Sequence, residues 1–362
     1  MKNTLLVAVA ALAIALPVTA PVSAQTETPA PSPNEIVNMA APEEWIEIPA
    51  EDLLVMTLAP DADGNERTVV IQLMPAPFSQ GWVENIRALA RAEWYDGTSV
   101  NRVQDNYVVQ WGDPGHDNPE SGEVETKPLP EGLNVMGEDE YVVPVNDEMR
   151  EKFASVLSSA FSSGAGEGPR GWAVYAPADS DAVEQMRKAE SYLARDPYSQ
   201  FNLAYLGWPV AFGDLFDAWP VHCYGMVGVG RNYSPDTGTG AELYTVIGHA
   251  PRHLDRNIAL VGRVISGMEH LSSLPRGSGA LGFYTEEEAH KRTPILSVRV
   301  AADLPEDERP LFEYLSTEGE TFARYAEARA NRRDPFFIVP AGGADICNIP
   351  VPVRPFEYAV EE

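Results

Sequence analysis

Three side chains in one short stretch can act together: the guanidinium of Arg102, the phenol of Tyr107 and the carboxamide of Gln110. Val100 to Val103 and Tyr107 to Gln110 carry the apolar and β-branched residues of two strands, Asp105-Asn106 is a turn pair between them, and Gly112-Asp113-Pro114 ends the second. Folding Tyr95 to Pro114 as a hairpin puts guanidinium, amide and aromatic ring on one surface. That combination of donors, an acceptor and an apolar face suits the binding of a peptide.

Other chemistries lack their residues. The chain has no Gly-x-Ser-x-Gly elbow and no His-Glu-x-x-His helix. His249 and His253 are four apart, but Pro251 between them disfavours the helix that would align them on a metal. Thr237 has no evident base beside it and reads as a loop residue. Gly277 to Gly282 is Gly-rich but lacks the lysine and the strand-to-helix setting of a phosphate cradle. No metal or other cofactor is expected.

The elements that must position the hairpin are mostly short. Leu53 to Leu58 and Arg67 to Leu73 are β-rich runs on either side of the turn Asp61-Ala62-Asp63-Gly64. Trp82, Ile86, Leu89 and Ala90 then recur at helical spacing, with Glu84, Arg87 and Arg91 on the other face. Further on, Gly225 to Val229 and Ile295 to Val300 read as strands. Between the hairpin and Val221, Asp147 to Ser162 and about Asp179 to Arg195 read as helices broken by Gly164 to Gly171. A dense aromatic stretch follows, with Trp208, Phe212, Leu215, Phe216 and Trp219, and its expected role is packing. Beyond Glu306 the chain offers a charged helical candidate near Arg309 to Asn331 and a β-prone Phe336 to Val339.

Composition limits the partners. With 26 Lys+Arg against 54 Asp+Glu, the net charge of −28 opposes nucleic acid and anionic lipid surfaces, because each would add repulsion. Lys2, the apolar run Leu5 to Leu16 and Val22-Ser23-Ala24 have the form of a secretory signal peptide over residues 1–24. That run is too short to span a bilayer comfortably, and no membrane insertion is expected. The expected destination is therefore outside the inner membrane, in the periplasm. Residues 25–44 are rich in Pro, Thr, Ala and Glu and read as a flexible leader, with order starting near Trp45. Cys223 and Cys347 are the only cysteines, and in an oxidising compartment two states stand open: a disulfide, or two buried thiols.

The signature hairpin resembles that of the cyclophilins, in which Tyr-Asp-Gly-Thr is followed by Phe-His-Arg-Val and, later, by Gln-Gly-Gly-Asp-Pro. Glu84-Asn85-Ile86-Arg87-Ala88-Leu89 resembles the family's helix, Gly225-Met226-Val227-Gly228-Val229 its central Gly-x-Leu-Ser-Met-Ala strand, and Gly240-Ala241-Glu242-Leu243-Tyr244-Thr245 its Gly-Ser-Gln-Phe-Phe-Ile. Leu254-Asp255 resembles the leucine-aspartate turn, and Val261 to Met268 the block Phe-Gly-x-Val-x-x-Gly-Met. The resemblance implies a mainly β fold: a closed eight-stranded antiparallel barrel capped by two helices. The barrel domain would span 45–302, interrupted by a partly helical insertion at 115–221 and followed by an extension at 303–362. A Cys223 to Cys347 disulfide would tie that extension to the barrel.

The function implied is peptidyl-prolyl cis-trans isomerisation on proline-containing polypeptide clients. Arg102 would be the catalytic arginine and Gln110 its partner, while Tyr107, Val108, Tyr244 and Leu254 would seat the proline ring. His253 stands where many members have tryptophan, Asn101 replaces a histidine, Val108 a methionine and Trp111 a glycine. These departures argue for a weaker isomerase and against cyclosporin binding. The alternative of a different class is a cyclophilin-like chaperone or binding module whose isomerase activity is residual.

Overall fold

The computed structural model describes residues 29–117, 121–122, 125–147, 149, 196–213 and 217–356. The signal-like segment and nearly all of both helices expected in the insertion lie outside the described residues. Along the chain, β1 (Trp45–Glu47) precedes a hairpin of β2 (Leu53–Leu58) and β3 (Arg67–Leu73), then a second hairpin of β4 (Ser99–Val103) and β5 (Val108–Gly112). The insertion contributes β6 (Val143–Pro144), β7 (Phe201–Tyr205), β8 (Trp208–Phe212) and β9 (Asp217–Pro220). Next come β10 (Met226–Val229), β11 (Glu242–Val246), β12 (Leu260–Ser266) and β13 (Ile295–Val300), and finally β14 (Phe312–Leu315) and β15 (Val353–Pro355).

Eight of these strands form one antiparallel sheet in the order β13-β2-β3-β12-β10-β11-β5-β4. The sheet rolls into a nearly closed barrel. Its edges meet where the Ile295 N–H donates to the Thr98 carbonyl at 2.8 Å and the Val100 N–H to the Thr293 carbonyl at 2.9 Å. Alternation along each strand decides what fills the barrel. Leu54, Met56 and Leu58 of β2 and Val69, Ile71 and Leu73 of β3 join the main core, while their neighbours Leu53 and Val70 pack in a separate cluster with Ile48 and Phe312.

The helix Gln80–Arg91 caps one end. Its Trp82, Val83, Ile86, Leu89 and Ala90 are buried, and Trp82 Nε1 donates to the Thr237 carbonyl at 3.0 Å. The second helix, after β12, is a single turn at Glu269–Ser272, and its Leu271 is wholly buried in the barrel core.

The insertion's described residues form a four-stranded antiparallel sheet in the order β6-β9-β8-β7. Trp208, Phe212 and Trp219 pack in the same hydrophobic cluster as the barrel core, so this sheet and the barrel share one interior. Arg263 of β12 reaches out to the insertion: its Nη1 donates to the Gly207 carbonyl at 2.7 Å, its Nε to Gln72 Oε1 at 2.8 Å, and its guanidinium lies over the Trp208 ring. Burial holds the Arg263 guanidinium down to about 10.

The reading of 25–44 as a flexible leader is corrected over its described residues, 29–44. Pro33–Asn38 is a helix with Pro at its first position and a reciprocal Ser32–Glu35 capping box. Its Ile36 is buried against Phe322 and Tyr325 of the helix Glu320–Ala330. Two adjacent apolar residues, Ile36 and Val37, among Pro, Glu and Asn give no periodicity, and the surface that covers them comes from the far end of the chain. β1 likewise pairs with β14, and with β15 they form a three-stranded sheet outside the barrel. The helical candidate Arg309 to Asn331 divides into β14 and the helix Glu320–Ala330, while Phe336 to Val339 lies outside any strand and is exposed. Cys223 and Cys347 are joined by a disulfide.

Candidate active site

The β4–β5 hairpin and its neighbours place one row of residues across four strands. Arg102 is opposite Gln110, Gln110 opposite Tyr244, and Tyr244 opposite Gly228. Residues directly opposite share a face of the sheet. This row faces away from the barrel core, which takes Val100, Val103, Val109, Trp111 and Leu243. On the row's face, Val108, Tyr244 and Val246 form a small apolar cluster of their own, with Tyr107 and Ile258 packed against it.

Arg102 is held from several directions. Its Nη1 donates to Gln110 Oε1 at 2.9 Å, its Nη2 to Gln104 Oε1, and its Nε to the Leu281 carbonyl at 2.7 Å. The guanidinium carbon lies 5.7 Å from the Tyr107 ring centre and 5.3 Å from that of Phe283. Arg102 is only 9% exposed, so its charge acts in a medium of lower dielectric than water. Its geometry is fixed before any ligand arrives. The site therefore offers an immobilised cationic donor at the rim of an apolar seat.

The seat's floor is the Tyr244 ring, which crosses β10 at Gly228. A methyl group there would come within 2.3 Å of Tyr244 Cζ and Oη. The hydroxyl is tied down: Tyr244 Oη and His222 Nε2 are 2.9 Å apart, and His222 Nδ1 is 2.9 Å from Asp255 Oδ1. Burial holds His222 below the ordinary imidazole range and raises the Tyr244 phenol well above its own. Burial alone would raise Asp255, but hydrogen bonds from His222 and Arg252 and the Arg252 charge outweigh it and hold the carboxyl low. The chain of contacts thus consists of a neutral phenol, a neutral imidazole and a carboxylate.

The expected site residues are distributed unevenly about this seat. Arg102, Tyr107, Val108, Gln110 and Tyr244 come together. Leu254 is half-buried in the turn Arg252–Leu254, and His253 is exposed on it, with Ile258 rather than Leu254 packed in the cluster. Sequence reasoning missed Phe283 and the Leu281 carbonyl, which reach Arg102 from the loop first set aside as a failed phosphate cradle. It also missed His222 and the partnership of Asp255. The single sequence signal was Gly228, a glycine where the resemblance has serine, opposite a tyrosine where it has phenylalanine.

The structure is an antiparallel eight-stranded barrel that carries an arginine, a glutamine and an apolar cluster on one outer face. Residues 64–300 match the model of the cyclophilin type peptidyl-prolyl cis-trans isomerase/CLD family, and the chain belongs to that family. The crystal structure of the cyclophilin AquaCyp293 from Hirschia baltica is similar, with 20% identity and a TM-score of 0.56 over 86% of this chain and 93% of that one. A cyclophilin-type isomerase from Cryptosporidium parvum matches 68% of this chain and 96% of its own at 11% identity and a TM-score of 0.32. The same protein in the presence of the dipeptide Ala-Pro matches 68% and 97% at 10% and 0.31. No curated protein matches the sequence.

Proposed function

We propose that this chain accelerates rotation about X-Pro bonds in exported polypeptides, with Arg102 as the group that stabilises the twisted amide. Amide resonance sets a barrier of about 18 to 20 kcal/mol. In the twisted state the prolyl nitrogen loses conjugation and gains a lone pair, so a donor fixed beside it favours that state over either planar isomer. A rate gain of roughly 10⁵ needs only about 7 kcal/mol of such preference. The observation that carries the reading is the immobilised Arg102 guanidinium at the edge of the Val108–Tyr244–Val246 seat. Gln110 orients the guanidinium, and Tyr107 flanks it. The apolar run at the amino terminus and the Cys223–Cys347 disulfide support an oxidising periplasmic location.

The test is the cis-to-trans rate of a short Ala-Pro peptide with the full-length chain beside Arg102→Ala at equal folded concentration. The wild type is expected to exceed background clearly, and the variant to lose at least about tenfold in kcat/KM. No acceleration by the folded wild type would leave the second reading, a binding or chaperone module. The exposed run Phe336, Ile338 and Val339 favours that module, because contiguous apolar surface marks interaction sites.

A further inference from the structure

The floor of the seat is fastened from behind by a buried polar chain that the isomerase chemistry does not use. Asp255 Oδ1 accepts from the His222 backbone N–H at 3.0 Å as well as from the ring, and Asp255 Oδ2 accepts from Arg252 Nε at 2.7 Å. Arg252 Nη2 then donates to Asp196 Oδ2 at 2.8 Å, and Asp196 also accepts from Asn202 Nδ2 at 2.8 Å. Asp196 and Asn202 belong to the insertion. His222 is fully buried, and Tyr244, Arg252 and Asp255 are at most 5% exposed.

The partners fix the proton positions. A carboxylate at Nδ1 requires that nitrogen to carry the hydrogen, which leaves the Nε2 lone pair to accept the Tyr244 O–H. The tyrosine ring can span this distance only because residue 228 has no side chain. Tyrosine at 244 and glycine at 228 are therefore one device: the ring, held in place by its hydroxyl, lies where a Cβ at 228 would sit, and the imidazole gives the hydroxyl its partner.

We infer that His222 is a positioning residue for the prolyl seat: through Tyr244 Oη it fixes the plane and depth of the ring on which proline rests, and Asp255, Arg252 and Asp196 carry that restraint back to the insertion. The inference rests on Tyr244 being the seat's floor in the proposed isomerase. An apolar floor touches the proline ring in the planar and twisted states alike, so it acts on substrate binding. Arg102, which meets the developing lone pair, acts on the chemical step. The two groups should separate in the kinetic constants.

The experiment compares the full-length wild type with Tyr244→Phe, His222→Leu, the double variant, Gly228→Ser and Gly228→Ser with Tyr244→Phe. It measures isomerisation of an Ala-Pro peptide and, separately, the peptide's Kd by NMR titration. Tyr244→Phe and His222→Leu should each raise KM and Kd about fivefold, the size of one hydrogen bond, with kcat held within about twofold. The double variant should be no worse than the worse single one. Gly228→Ser alone should raise Kd by more than about tenfold, and adding Tyr244→Phe, which releases the ring from His222 so that it can move off the new side chain, should recover part of that loss. Tyr244→Phe removes one oxygen and keeps the ring, so it tests the inference even if His222→Leu does not fold. An unchanged Kd in folded Tyr244→Phe, or single effects that multiply in the double variant, would overturn the positioning role while leaving the isomerase intact. A wild type that does not bind the peptide would overturn the seat itself, and this inference with it.

Discussion

The two ends of the active row are built differently. Arg102 takes two of its hydrogen-bond partners, Gln104 and Gln110, from its own hairpin, and reaches beyond it to the Leu281 carbonyl and the Phe283 ring. Tyr244 takes as its partner His222, the first residue after the insertion, and the chain behind it ends on Asp196 within the insertion. The proposed donor is thus tied to its own hairpin and to the Leu281 loop, whereas the proposed proline seat is tied through His222, Asp255 and Arg252 to the insertion. Changes in the insertion or extension should reach binding before they reach chemistry.

The largest effect that could break this contrast comes from the disulfide. Cys223 adjoins His222, and the bond to Cys347 closes a separation of 124 residues. Replacing both cysteines by serine should lower stability by about 2 to 4 kcal/mol, read from urea unfolding. In the protein that remains folded, KM should rise while kcat holds; a fall in kcat alone would mean that the restraint runs to Arg102 instead. Gln110→Leu should do the opposite. Losing the oriented acceptor of a charged donor should lower kcat by about tenfold with KM nearly constant.

The smallest effect sharpens the contrast through pH. His222, faced by Asp255, Arg252, Tyr244 and His253, is held below its unfolded value by burial first. Its contribution to stability is therefore complete above the unfolded imidazole range and is lost as pH falls from there towards the depressed folded value, where the unfolded chain binds the extra proton. Asp255, also depressed, keeps its contribution until more acidic conditions, below the usual aspartate range. The urea midpoint should fall between pH 7.5 and pH 5.5 in the wild type, and less so in folded His222→Gln. Arginine side chains keep their charge over this pH range, so kcat should not follow the same curve.

How much of this was legible in the sequence follows the same division. The β4–β5 hairpin could be read because its turn residues and β-branched runs are adjacent, and Arg102 and Gln110 follow from its register. The β2–β3 hairpin and the capping helix were legible for similar reasons, namely clear periodicity with clear turns. The sheet of the insertion was not, because aromatics such as Trp208 and Trp219 state that a segment is buried without stating in which conformation. His222 was invisible as a site residue: a lone buried histidine acquires meaning only from Asp255 and Tyr244, which the fold brings to it. Phe283 and Ile36 failed in the same way, since each owes its role to a surface formed far along the chain.

The pairing of Trp45 with Leu315 sets a sequence of events as well as a shape. A chain emerging from a ribosome or a membrane pore presents β1 early, but its partner strand arrives only after the whole barrel and insertion have passed. β14 in turn needs β15, near the end of the described chain. Contacts so distant along the chain bear the highest loop-closure cost, and they become favourable once the intervening barrel has shortened the path between them. A prematurely ended copy would keep its barrel strands yet leave β1 an unpaired edge, exposed to proteases and to other strands. The small terminal sheet thus forms only once β14 and β15 have both been made.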